Sequence, residues 1–267
     1  MKKKVLILVN HNVVIYNFRR ELVERLVCDG FEVYLSCPQG DRIAELTSMG
    51  CCFIEANFER HGMNPLKEVQ LIYYYKKIMK EVNPDVVLSY TIKPNIYGGM
   101  AAASLNIPYL ANITGLGTAV EHEGILQKIT KMLYIYAFRK IDTVFVQNEE
   151  NKQFFVDNKI AARKLYLLPG SGVNLKQFSV LDYPEDRIEF VFISRIMKEK
   201  GIDHYLKIAE MIQKKYSEVK FHICGFCEEA YEEILKDYER RGIIIYHGML
   251  KDVRKLIEVC SATIHPT

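Results

Sequence analysis

The sequence predicts an α/β protein built as two doubly wound parallel-sheet units, the second of them cut short. Three observations carry this expectation. Short apolar runs alternate with amphipathic stretches along the whole chain, the pattern of parallel strands joined by crossover helices. A break, Pro169-Gly170-Ser171-Gly172-Val173-Asn174, interrupts the alternation, which restarts near Ile188. The composition, 49% hydrophobic and 26% charged over 267 residues, suits a chain that buries a core in one large or two ordinary domains.

In the first unit, strands are expected at 5–9, 31–37, 52–56, 86–90, 109–113, 143–147 and 165–168. Helices are expected at 18–29, 42–49, 66–82, 95–105, 125–138 and 149–158, and residues 10–17 read as a loop. Gly30 and Gly50 stop the first two helices. Asn83-Pro84 stops the third, because proline pushes the residue before it out of the helical region. The Gly and Ala of 95–105 allow that helix to pack closely. The second unit reads as strand 188–193, helix 202–215, strand 219–223, helix 229–240, strand 243–246, helix 252–259 and strand 262–264. A doubly wound domain normally continues beyond this. The expected organisation is thus a first domain over 1–168, a junction over 169–187 and a partial second domain over 188–267.

Bulk properties remove several function classes. A net charge of +3, from 36 basic and 33 acidic side chains, is too mild for a nucleic-acid partner. The 7 cysteines fall at irregular spacing and read as reduced thiols used as small apolar residues. One pair, Cys224-Gly225-Phe226-Cys227, keeps a redox alternative open, but no second CxxC completes a zinc site. The apolar run after Met1-Lys2-Lys3-Lys4 stops at Asn10, short of the roughly 7–15 residues of a signal-peptide core. No run approaches the ~18 residues of a membrane span. A cytoplasmic location is expected.

The most informative stretch is Ser194-Arg195-Ile196-Met197-Lys198-Glu199-Lys200-Gly201. It places Arg195 at the C-terminal tip of an apolar strand and Lys200 at the mouth of the next helix. Ligands of open α/β sheets bind at that edge. A guanidinium, an ammonium and a helix N-terminus there form a receptor for a diphosphate. The alternative is a solvated basic loop. No G-x-G-x-x-G follows the first strand, which argues against NAD or FAD there, and no Walker A sequence occurs. No Asp-x-Asp occurs either, so a bound diphosphate would be neutralised by cationic side chains, and neither cofactor nor metal is expected.

Taken together, these features resemble the family 4 glycosyltransferases of the GT-B fold, with two Rossmann-like domains. Pro169-Gly170-Ser171-Gly172-Val173-Asn174 with Phe178 is similar to the family's interdomain segment. His222-Ile223-Cys224-Gly225 is similar to its nucleotide-side strand and glycine, and Tyr246-His247-Gly248-Met249 to the strand lining the base pocket. Asn17-Phe18-Arg19, the run from Thr91 through Lys93 and Asn95 to Gly98, and Thr114-Gly115-Leu116-Gly117 resemble a subgroup. That subgroup adds hexose or N-acetylhexosamine, including N-acetylgalactosamine, to lipid-linked sugars of bacterial surface glycans and glycoproteins. The resemblance implies retaining transfer from a nucleotide-sugar donor, UDP-linked, to a polyprenyl-diphosphate-linked glycan. It gives Arg195 and Lys200 the catalytic role and adds Gly172, Gly225 and Met249 on the donor side. It puts Asn17, Arg19, Thr91, Lys93, Asn95, Thr114, Gly115 and Gly117 on the acceptor side. The family's E-x7-E segment is expected after Thr267, which would leave the donor site of residues 1–267 incomplete. Where many members carry a His near the acceptor-side glycine, this chain has Thr114.

Residues 125–141 hold Lys128, Lys131, Arg139 and Lys140 among aromatics and no acid, and 66–82 repeats the theme. Such helices lie on anionic lipid at the inner membrane face, or else bury their apolar stripes against the sheet. Two rival functions share the fold: a GT-B-type nucleotide-sugar epimerase, for which no acid–base pair stands out, and a non-catalytic two-lobed sugar-binding protein.

Overall fold

The computed structural model describes residues 2–58, 64–116, 124–161 and 164–266. The chain divides into two compact units, Met1–Gly172 and Val173–Thr267.

In the first unit, β1 (Lys4–Leu8), β2 (Glu32–Cys37), β3 (Cys52–Glu55), β4 (Val86–Tyr90), β5 (Tyr109–Ile113), β6 (Thr143–Val146) and β7 (Leu165–Leu167) form one parallel sheet. Their order is β3-β2-β1-β4-β5-β6-β7. The helices are α1 (Asn12–Cys28), α2 (Ile43–Ser48), α3 (Pro65–Val82), α4 (Gly99–Leu105), α5 (Ile125–Ala137) and α6 (Glu149–Asp157). Leu6, Ile7 and Leu8 are fully buried and feed two cores on opposite faces of the sheet. A strand covered on both faces reads as a continuous apolar run for that reason.

The loop expected at 10–17 is not there. Helix α1 starts at Asn12, six residues before the expected Phe18, because the His11 imidazole accepts the Val13 amide at 3.2 Å and caps it. The 95–105 helix also begins differently. Pro94–Gly98 is a single π turn that leads into α4. Gly98 and Gly99 lie so close to Leu8 and the Tyr109 ring that a Cβ would stand 2.6 and 2.7 Å from them. Small residues at this position let the turn seat on the sheet.

In the second unit, β8 (Glu189–Ile193), β9 (Lys220–Cys224), β10 (Ile245–Tyr246) and β11 (Ala262–Thr263) form a parallel sheet in the order β10-β9-β8-β11. Helices α7 (Ile202–Gln213), α8 (Glu232–Arg240) and α9 (Arg254–Val259) connect them. The order reverses at β8: the chain builds outward to β9 and β10, then returns to the other side as β11. In open α/β sheets, the crevice outside the strand ends at such a reversal is where ligands bind.

Candidate functional site

At the C-terminal edge of the second sheet, loops from neighbouring strands are knitted together. Past β8, the Ser194 amide donates to Cys224 O at 3.1 Å and the Ile196 amide to Phe226 O at 2.9 Å. The Gly225 amide donates to Gly248 O at 2.9 Å, which joins the β9 and β10 ends. Beneath them the Tyr246 hydroxyl donates to Gly225 O at 2.9 Å, and burial pushes that phenol up to about 12. Residues 194–196, 225–228 and 248–249 therefore form one continuous rim. Arg195, Gly225 and Met249 stand on it, with Met249 61% exposed.

The fourth contributor comes from β11. Lys200 closes a 3-10 turn, Lys198–Lys200, before Gly201, whose φ of +74° starts α7. A Cβ on Gly201 would stand 2.3 Å from Pro266 O, so the segment after β11 runs against this corner. Lys200 and Gly201 thus sit where the strand order reverses, as the sequence pattern required.

Gly225 has φ +150°, and a Cβ there would meet Ser194 O at 1.8 Å. The approach that demands glycine is that of the β8 loop backbone. Gly225 fixes Arg195 in place whether or not it also faces a ligand.

Arg195 donates from Nη1 to Glu228 Oε2 at 2.5 Å, with its side chain 39% exposed. Lys200 has no side-chain partner among the described residues. No local pattern signals that Glu228, 33 residues away, neutralises Arg195. The parallel bridge between Ile196 and Cys227 and the Glu228 amide donating to Ile196 O at 3.2 Å set them side by side. The Glu229 carboxylate accepts the Lys198 amide at 3.0 Å and Tyr231 donates to Asp203 at 3.0 Å, so the same loops are tied at two further points.

Burial raises both Cys224 and Cys227 above the ordinary thiol range. A redox pair needs a lowered thiol, so these directions run against the redox alternative. A further polar cluster was not foreseen: His222 Nε2 pairs with Glu189 Oε2 at 2.8 Å and His222 Nδ1 with His247 Nε2 at 2.9 Å. Desolvation, then the neighbouring His222, holds His247 below its usual value. Gly172, with φ +73° and open space around it, is the last residue of the first unit.

On the first unit, Thr91, Lys93, Thr114 and Gly115 follow the adjacent strands β4 and β5 at their C-terminal edge. Thr91 holds a φ of +71°, a strained setting for a β-branched residue, of the kind found at ligand-facing turns. Lys93 Nζ bonds Glu68 Oε1 of α3 at 2.7 Å. Thr114 and Gly115 are exposed. Asn17 lies on the exposed side of α1. Arg19 is buried, its guanidinium 5.3 Å from the centre of the Tyr90 ring at the end of β4.

Asn95 departs from the expected acceptor contact. It is 1% exposed, accepts from Ser89 Oγ at 2.6 Å and donates to Asn112 O at 3.0 Å. Its amide is spent holding the π turn to β4 and β5. Gly117 lies outside the described residues.

Residues 4–148 match the family described as Glycosyl transferase 4-like, and residues 174–267 match Glycosyl transferases group 1. A Campylobacter jejuni relative, N,N'-diacetylbacillosaminyl-diphospho-undecaprenol alpha-1,3-N-acetylgalactosaminyltransferase, is 24% identical over 271 residues, covering 95% of this chain and 71% of the relative. A Rickettsia africae glycosyltransferase superposes with a TM-score of 0.71 at 17% identity, over 100% of this chain and 73% of that one. Anabaena Alr3699/HepE, in complex with UDP and glucose, superposes with a TM-score of 0.72 at 14% identity, over 98% and 74%. At these identities the structural likeness speaks for the fold, which is GT-B. The first match alone spans more than half of the sequence and the second covers its C-terminal third, so the chain belongs to the glycosyl transferase 4-like family, a family of glycosyltransferases.

Proposed function

We propose that the chain moves a hexose or N-acetylhexosamine from a UDP-linked donor to a glycan carried on a polyprenyl diphosphate, with retention at the anomeric carbon. The observation that carries this is the cationic rim at the strand reversal of the second sheet. Arg195 is tethered there to the half-buried carboxylate of Glu228, and Lys200 precedes the N-terminus of α7. The activity named for the Campylobacter relative supports the lipid-linked acceptor, and the UDP and glucose of the Anabaena structure support the donor class.

In this reading, the bond between the anomeric carbon and the β-phosphate oxygen breaks, and its electrons go to the leaving diphosphate. The acceptor hydroxyl oxygen bonds the same carbon from the face the diphosphate leaves, and its proton passes to a diphosphate oxygen. Arg195 and Lys200 hold the growing negative charge, so no metal is needed for neutralisation. A preorganised donor of this kind contributes about 3–4 kcal/mol, a factor of ~10²–10³ in turnover.

The acceptor's lipid suggests where the reaction takes place. Helix α5 buries Thr130, Tyr134 and Ala137. Its opposite side exposes Ile125, Ile129, Met132 and Tyr136, spaced as one stripe. Lys128 and Lys131 belong to the same helix, and the Arg139 guanidinium lies 4.0 Å from the centre of the Tyr136 ring. An apolar stripe flanked by cations and free of acids suits an anionic lipid surface. Helix α3, by contrast, buries its main stripe, from Glu68 and Leu71 to Val82. No helix among the described residues is long and apolar enough to cross a membrane.

The test is Arg195→Ala in the full-length protein, with UDP release measured from UDP-sugars with and without lipid-linked acceptor. Turnover falls by ~10²–10³ if Arg195 holds the diphosphate. Loss of the exposed ion pair costs the fold at most about 1 kcal/mol. Unchanged turnover removes the assignment.

A further inference from the structure

The first unit contains a cavity of about 480 Å³ between the end of β3, the first turns of α3 and the segment after β4. Its size falls within the range of small-ligand sites. The cavity's chemistry differs from that of the cationic rim on the second unit. Its buried charge is already matched: Glu68, with an 11% exposed side chain, accepts from Lys93, with a 16% exposed side chain, at 2.7 Å. The Tyr97 hydroxyl also bonds Glu68, and burial, then the Glu68 charge, raises the phenol's pKa. Lys67 is exposed at the rim. A phosphate entering here would be desolvated against a cation already committed to a carboxylate, which is unfavourable.

The remaining lining suits a neutral, hydroxyl-rich ligand. The side-chain amides of Asn57 and Gln70 have no partner among the described residues, and each offers donors and an acceptor. Asn64 spends its oxygen on the Leu66 amide at 3.0 Å, capping α3, which leaves its NH₂ to the cavity. Phe58 and Tyr74 supply flat apolar surface for the C–H face of a sugar ring.

We propose that this cavity receives a neutral saccharide ring of the acceptor glycan, and that Lys93 contributes to it as the partner of Glu68 and not as a phosphate ligand. This rests on the reading of the first unit as the acceptor side. The experiment is saturation-transfer difference NMR on the intact chain, with methyl N-acetylglucosaminide as probe and inorganic pyrophosphate as competitor. Saturation transfer to the sugar is expected, to fall at least fivefold in Asn57→Ala and in Gln70→Ala, and to persist with excess pyrophosphate. These polar positions carry no core contact, and far-UV circular dichroism checks that both variants fold. Absent transfer in the wild type, unchanged transfer in both variants, or displacement by pyrophosphate each overturns the proposal. The donor reading is tested separately by calorimetric titration of UDP into the same wild-type sample, so failure of one does not mimic failure of the other.

Discussion

Gly225→Ala measures how tightly the strand ends are clamped under Arg195. The substitution places a Cβ 1.8 Å from Ser194 O and 2.9 Å from Ser194 C, both backbone atoms that no rotamer change relieves. Either the β8 and β9 ends part or the loop lifts. Both responses break the Ser194 amide bond to Cys224 O at 3.1 Å and the Gly225 amide bond to Gly248 O at 2.9 Å. Two such bonds are worth about 2 kcal/mol, and positive φ adds about 1–2 kcal/mol for a residue with a Cβ. The expected loss is thus about 3–4 kcal/mol. Gly248→Ala is the control: its φ is +63°, but a Cβ there meets nothing within 4 Å, so it suffers the conformational cost alone. Urea unfolding followed by far-UV circular dichroism reads both. The reasoning fails if the two variants differ by less than 1 kcal/mol, since then the close approach of Ser194 contributes nothing. UDP affinity should fall in Gly225→Ala as well, because the lifted loop carries Arg195.

Glu228→Gln removes the carboxylate that a bound diphosphate must displace from Arg195. An ion pair this exposed is worth about 0.2–1 kcal/mol, so UDP should bind up to about fivefold tighter by calorimetry, and weaker binding would show that Glu228 supports the site. His247 has its folded pKa depressed by burial and by His222, with Glu239 opposing and Glu189 beyond. The unfolded chain therefore takes up the proton first, and stability should fall as pH drops below about 6.5. Glu189 is also depressed, by His222 and Lys220 acting against its burial, and adds a second loss at more acid pH, below the ordinary carboxylate value. His247→Gln should flatten the first loss while leaving the second, as read by urea midpoints from pH 7 to 3. On α5, Ile129→Asp with Met132→Asp alters two exposed positions and should leave thermal unfolding in place while abolishing co-sedimentation with anionic vesicles. Retained sedimentation would remove the lipid-surface reading.

The candidate site was legible where it follows from chain order. A strand tip, a basic loop and a glycine before a helix put Arg195 and Lys200 at one sheet edge whatever the side chains do. What the pattern missed was competition for the same side chains. The resemblance put Asn95 on the acceptor side, yet Ser89 and Asn112 take its amide. Lys93, put on the acceptor side by the resemblance, is paired with Glu68, 25 residues earlier, which no local pattern signals. The helical start at Asn12 was missed because a histidine cap is a weak local signal beside Ser, Thr or Asp.

By itself, the sequence determined the period of its apolar residues, and with it the alternation of strands and helices and the two-unit plan. Those depend on neighbours a few positions apart. Tertiary structure alone decided the contacts between distant segments: Glu228 on Arg195, Ser194 over Gly225, Pro266 against Gly201, and Glu189 joined to His247 through His222. Strand order and register set those neighbours, and a linear pattern of hydrophobic and polar residues does not encode which side chain will face which across a sheet.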